Sequence, residues 1–132
     1  MTDSVTEREI VTFPEGLPGF ETTRRFVLQK ADGLEPFTLV RGLDDGAPAF
    51  VAIEPQRVDG DFRATIQPGD RLRLQARAGD ALLWLALVTV QADGTVTVNL
   101  RAPIVVNPAT MLGLQVVVAD SPYALDHPLL AA

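Results

Sequence analysis

Hydrophobic and polar positions alternate along this chain in short runs, interrupted every few residues by Gly, Pro, Asp or Asn, and the pattern predicts many short strands. The clearest run is Thr95–Leu100 (TVTVNL), whose period of two sends Thr95, Thr97 and Asn99 to one face and Val96, Val98 and Leu100 to the other. Ala81–Gln91 and Gln115–Val118 are apolar on both faces, the sign of strands covered on both sides of a sheet. Between the first two runs, Ala92-Asp93-Gly94 predicts a tight hairpin, because Asp and Gly tolerate positive φ. Further strands are predicted at Ile10–Phe13, Arg25–Gln29, Phe37–Arg41, Ala49–Glu54, Arg63–Ile66, Arg71–Gln75, Ile104–Val106 and Leu114–Ala119. One helical signal stands out, Pro108–Leu112, with Asn107 as N-cap and Pro108 at the first helical position. The fold predicted is all-β and mostly antiparallel, a small barrel-like or sandwich domain with one short helix at most.

A chain of 132 residues suits one hydrophobic core, so a single domain over 1–132 is expected, with 1–9 as a flexible start and 121–132 as a tail lying on the body. The longest apolar run, Ala81–Val90, is far short of the roughly 20 residues that span a bilayer, and no membrane partner is expected. Acidic residues stand at the start where a signal peptide would be basic and then apolar, which points to the cytoplasm. The net charge of −6 repels phosphate backbones, and the one arginine cluster, Arg71, Arg73 and Arg77, is flanked by Asp70 and Asp80. No direct nucleic-acid contact is expected.

Catalytic chemistry finds few candidates. There is no cysteine, and the single histidine, His127, sits in a proline-bounded tail, so neither a His-dependent triad nor a His-rich metal site is available. Asp44-Asp45 and the pair Asp59 and Asp61 could act as paired carboxylates, but each adjoins Gly46 or Gly60 and reads more simply as a turn. Gly16-Leu17-Pro18-Gly19 lacks the spacing of a phosphate loop and reads as a rigid turn; Lys30, the only lysine, has no neighbour that would lower its pKa. No catalytic residue, cofactor or metal is predicted, and the chain is not expected to be an enzyme. The polar residues embedded in apolar context, Asn99, Arg101 and Asn107, are explained as readily by strand-end hydrogen bonding as by function.

Taken together, FPEGLPGFE (Phe13–Glu21), RRFVL (Arg24–Leu28), PFTLV (Pro36–Val40), AFVAIEP (Ala49–Pro55), TVNLRAPIVVN (Thr97–Asn107) and the terminal Tyr123 with His127-Pro128-Leu129 resemble the FliW family of flagellar assembly factors. The resemblance covers nearly the whole chain from about residue 10, and GLPGFE combined with NLxAPIxxN is more specific than either piece alone. It implies a small β-barrel-like protein, expected as a monomer, that binds flagellin and, in exchange, the translational repressor CsrA. In such a switch, free protein holds CsrA and accumulating flagellin releases it. Carried over by motif position are Phe20, Glu21, Asn99, Arg101, Pro103, Asn107, Tyr123 and His127 as partner-binding residues. The chain departs from the family in having Asp126, where a basic residue is expected before His127-Pro128. Alternatives are a chaperone that binds flagellin alone, a small carboxylate-dependent enzyme, and an oligonucleotide-binding barrel.

Overall fold

The structure is a computed structural model and describes residues 10–30, 32–44, 46–117 and 121–129; the expected flexible start at 1–9 and residues 130–132 of the tail lie outside them. The elements in chain order are β1 (Ile10–Thr12), β2 (Arg25–Gln29), β3 (Thr38–Gly42), β4 (Ala49–Ile53), α1 (Pro55–Val58), α2 (Pro68–Arg73), β5 (Leu83–Val90), β6 (Val96–Val98), β7 (Ile104–Asn107), β8 (Leu112–Gln115) and β9 (His127–Pro128). All the strands belong to one sheet in the order β4-β3-β2-β1-β8-β7-β5-β6-β9, and a further pairing of β4 with β5 closes it into a barrel. The closed ring therefore runs β1-β2-β3-β4-β5-β7-β8, with β6 and β9 carried outside it on the far half of β5. Every pairing among the described residues is antiparallel except β1 with β8, which meet in parallel at Thr12 and Leu112.

Alternation along the strands fills the barrel. Val11, Phe13, Phe26, Val40, Ala52, Leu85, Ile104 and Val106 are buried together inside it, with Leu17 of the Gly16–Gly19 turn among them. The aromatic rings stack outward from this interior: Phe13 lies edge-on to Phe26 at 5.4 Å, Phe26 is 6.4 Å from Phe50, and Phe50 is 5.5 Å from Phe20. Fully burying each large apolar side chain contributes about 1.5–3 kcal/mol. Gly113 faces the same interior, where a Cβ would lie 2.8 Å from the Phe13 ring, so β8 needs a residue without a side chain there.

The outer face of the barrel is covered in two places. Ile53, Phe62, Ala86, Val98 and Leu100 form one cluster, with Val58 of α1 against it. Ile66, Leu74, Val105, Leu114 and Val116 form the other, beneath α2 and the chain that follows it. These two covers explain why β5 is apolar on both faces: Leu83, Leu85 and Leu87 point into the barrel, while Trp84, Ala86 and Val88 point into the covers.

The all-β class and most strands agree with the sequence pattern, and the hairpin at Ala92–Gly94 is present, with Gly94 at φ 90°. Four expectations are corrected. Arg71–Gln75 is not a strand: Pro68 starts α2 there, and Leu74 is fully buried while Leu72 is 79% exposed, a split that a helix allows and a strand forbids. Arg63–Ile66 joins no strand, although Phe62 and Ile66 are buried and Arg63 and Thr65 exposed in between. The strand expected at Leu114–Ala119 begins at Leu112 and ends at Gln115; Ala119 lies outside the described residues. The helix expected at Pro108–Leu112 is a single turn, because Met111 takes φ 57° and starts β8 at once. Helix occurs instead as two short elements, α1 and α2, each opened by a proline at its first turn.

Candidate interaction surface

β6 ends at Val98, and the next residues turn the chain into β7. The Asn99 side-chain oxygen accepts hydrogen bonds from the backbone N–H groups of Arg101 (3.1 Å) and Ala102 (2.9 Å), a local turn that buries Pro103 and lifts Arg101 to its half-buried crest. Along this turn lies the segment Ser121–Leu129, here called the strap. Its backbone is held at three points: the Ala124 carbonyl accepts from the Leu100 N–H (3.1 Å), His127 pairs with Val98, and the Leu129 N–H donates to the Val96 carbonyl (3.0 Å). Its anchor is Tyr123, whose ring lies 4.8 Å from that of Phe62 and whose hydroxyl accepts the Arg63 N–H at 2.8 Å. The His127 Nδ1 lies 2.9 Å from the Pro128 carbonyl oxygen.

Between the strap and the chain after α1 lies a cleft of about 180 Å³, lined by Phe62, Arg63, Ala64, Thr65, Gln67, Leu100, Pro103, Ser121, Pro122 and Tyr123. Arg63 is the one charged residue among them, and its guanidinium donates to the Phe62 carbonyl at 3.1 Å. Of the eight residues carried over by motif, Asn99, Arg101, Pro103, Tyr123 and His127 gather on the β6–β7 turn and the strap docked along it. Pro103 and Tyr123 line the cleft itself.

The other three lie elsewhere. Phe20 is 41% exposed at the barrel end, resting edge-on against Phe50. Glu21 is exposed beside it, and its carboxylate accepts the Gly19 N–H at 3.0 Å, a bond that holds its pKa below the ordinary glutamate value. Gly16 lets this turn close, for at φ 65° a Cβ would fall 2.6 Å from the Glu21 Cα. A second cavity of about 260 Å³ runs between Glu15, Gly16, Pro18, Glu21, Leu114 and Gln115. Asn107 is fully buried: its amide donates to the Leu74 carbonyl at 3.0 Å and its oxygen accepts the Ala109 N–H at 3.1 Å. That position ties the end of α2 to the β7–β8 turn and leaves no atom for a partner.

The remaining candidates are accounted for locally. The Asp59 carboxylate accepts the Asp61 N–H at 3.0 Å, an aspartate turn, and Asp45 lies outside the described residues. Arg73 pairs with Glu15 and Asp70, each at 3.0 Å, and Arg71 donates to the Arg77 carbonyl at 3.2 Å, so two of the three arginine side chains are bound to their own surroundings. Among the described residues no three or more His, Cys, Asp or Glu side chains are placed to hold a metal ion, and no helix is long and apolar enough to cross a membrane. Sequence reading did not single out buried Phe62 or exposed Arg63; both meet Tyr123, Arg63 across 60 residues of chain, and no local spacing signals that meeting.

Comparison with known proteins gives one answer by sequence and by structure. A family model described as FliW protein matches residues 2–129. Curated relatives include the flagellar assembly factor FliW of Geobacter sulfurreducens, 33% identical over 126 residues, covering 95% of this chain and 79% of that protein. That of Bdellovibrio bacteriovorus is 34% identical over 124 residues, covering 93% of this chain and 71% of the relative. Among solved structures, a crystal structure of the flagellar assembly factor FliW superposes with a TM-score of 0.88 at 30% identity, covering 98% of this chain and 91% of that one.

Proposed function

The chain belongs to the FliW family, and from that premise we propose that it is a flagellar assembly factor that binds flagellin and, when flagellin is scarce, holds the translational repressor CsrA. The observation that carries this reading is the match over residues 2–129, which takes in every motif residue on the turn and strap. Relatives named for assembly rather than for a reaction favour a binding role over catalysis. The chain works in the cytoplasm as a single-domain monomer without cofactor, membrane or nucleic-acid contact of its own.

The switch needs no chemistry. Two partners that exclude one another exchange according to their concentrations and their affinities for the free protein. The net charge of −6 favours encounter with a basic partner and makes the association rate fall with added salt. Calorimetric titration with flagellin and with CsrA from the same cell, singly and in competition, tests the proposal. Saturable binding to both, with flagellin displacing CsrA, is the expected result. Binding to flagellin alone reduces the protein to a flagellin chaperone, and binding to neither overturns the reading.

A further inference from the structure

We infer that the cleft beneath Tyr123 is the seat of a single partner side chain, and that the partner segment it accepts is a short peptide stretch in which a leucine-sized apolar residue is followed by a carboxylate. The inference deepens the binding role proposed above and rests on it. Three observations carry it.

The floor is apolar and built from distant parts of the chain: Phe62, Leu100, Pro103 and Tyr123 come from the segment after α1, the β6–β7 turn and the strap. At about 180 Å³ it is smaller than the roughly 300–1,000 Å³ of sites that enclose a metabolite, and fits one side chain of an interface rather than a free ligand. Filling such a socket with one anchor is how protein interfaces concentrate their affinity.

The rim carries one charge, and it is fixed. Arg63 has its backbone N–H on the Tyr123 hydroxyl and one guanidinium nitrogen on the Phe62 carbonyl, so the head group is held at the edge of the socket. Among the described residues no carboxylate forms an ion pair with it. In the loop that precedes it, the Asp59 carboxylate is taken up by the Asp61 N–H. The remaining N–H groups of the guanidinium suit a carboxylate, which they bind in a forked geometry. On a surface whose average charge is negative, one cation beside an apolar socket selects an acidic residue at that place and repels it elsewhere.

The test is an amide NMR titration of the full chain with two blocked dipeptides, acetyl-Leu-Glu-amide and acetyl-Leu-Lys-amide, each up to about 10 mM, because a lone anchor is expected to bind in the millimolar range. Saturable shifts at Phe62, Arg63, Leu100 and Tyr123 with the first and not the second are expected. Arg63→Glu should weaken the first titration by tenfold or more while the amides of the barrel interior keep their positions. No saturable shift at these residues, or an equal response to both dipeptides, overturns the inference. If Arg63→Glu fails to fold, Arg63→Gln and the comparison of the two dipeptides on the unaltered protein decide it. Binding of flagellin by a protein whose cleft ignores both dipeptides would sink this inference alone, whereas failure to bind flagellin and CsrA would sink the proposed function.

Discussion

At the scale of single residues, Asn107 and Glu21 illustrate two ways in which a motif position serves the fold. Asn107 is fully buried and joins the last carbonyl of the α2 end to the turn after β7, donating to Leu74 and accepting from Ala109. Asn107→Ala leaves the Ala109 N–H without that acceptor and removes one of two donors from the Leu74 carbonyl, where the Thr110 hydroxyl remains at 2.9 Å. A loss of about 1–3 kcal/mol is expected, read as a lower urea midpoint at unchanged slope, with partner binding intact in the folded fraction. Glu21 is the electrostatic case. Its pKa is lowered chiefly by the Gly19 N–H, as that of Asp93 is by the Thr95 hydroxyl and N–H. A carboxylate whose pKa falls on folding adds stability above its unfolded pKa and loses it as pH drops through the folded value. Glu21→Gln should therefore lower stability slightly at neutral pH, where the charged carboxylate contributes, and flatten the decline as pH falls below the ordinary glutamate pKa of about 4.3, measured by urea midpoints from neutral to acid pH. Both side chains are exposed, so the effect should shrink in high salt.

At the scale of elements, α2 shows what local pattern conveys and what it leaves open. Arg71-Leu72-Arg73-Leu74-Gln75 alternates as a strand would, yet Gln67-Pro68 before it is a helix start, with Asp70 in the first turn and two arginines in the last. The proline opposes the period-two pattern, and the fold follows the proline: of the two leucines Leu74 packs into the outer cluster while Leu72 stays exposed. The same sequence rule, applied at Pro108, marked a helix that tertiary context cut to one turn, since β8 must start at Leu112 to pair with Asn107. What was legible, then, was whatever one stretch decides alone: the hairpin at Asp93-Gly94, the rigid Gly16–Gly19 turn, the two-faced apolar β5. The cleft was legible only in part. Tyr123 and Pro103 were marked by motif, but Phe62 and Arg63 acquire their place only through long-range packing. α2 ends in a tight cap in which the Gln75 N–H donates to the Leu72 carbonyl and the Ala76 N–H to that of Arg71, with Gln75 itself at φ 53°. Glycine is the preferred residue at such a position, and Gln75 is exposed. Gln75→Gly is expected to stabilise the protein by up to about 1 kcal/mol, seen as a rise in Tm.

At the scale of the whole molecule, the closed ring and the appended β6–β9 pair should behave as two units of unequal stability. Inside the ring each strand has neighbours on both edges, and the aromatic ladder from Phe13, just after β1, to Phe50 reaches β2 and β4 through one apolar interior. β9 is two residues long, pairs on one edge with the three-residue β6, and leaves Pro122, Ala124, Leu125, Asp126 and Pro128 exposed. Its hold on the body rests on Tyr123 and a handful of backbone bonds. Regions with few buried apolar contacts open at a lower free energy than the global transition. Native-state hydrogen exchange should therefore find the amides of Leu100 and Leu129, which donate into and from the strap, exchanging through a local opening at denaturant concentrations where those of β2, β3 and β5 remain protected. Tyr123→Phe, which removes the acceptor of the Arg63 N–H but keeps the ring against Phe62, should speed exchange at Arg63 and Leu100 and leave the barrel amides unchanged. Uniform exchange of strap and barrel at one global rate would instead mean that the strap is an integral stave of the fold, and that the cleft it borders is as rigid as the core.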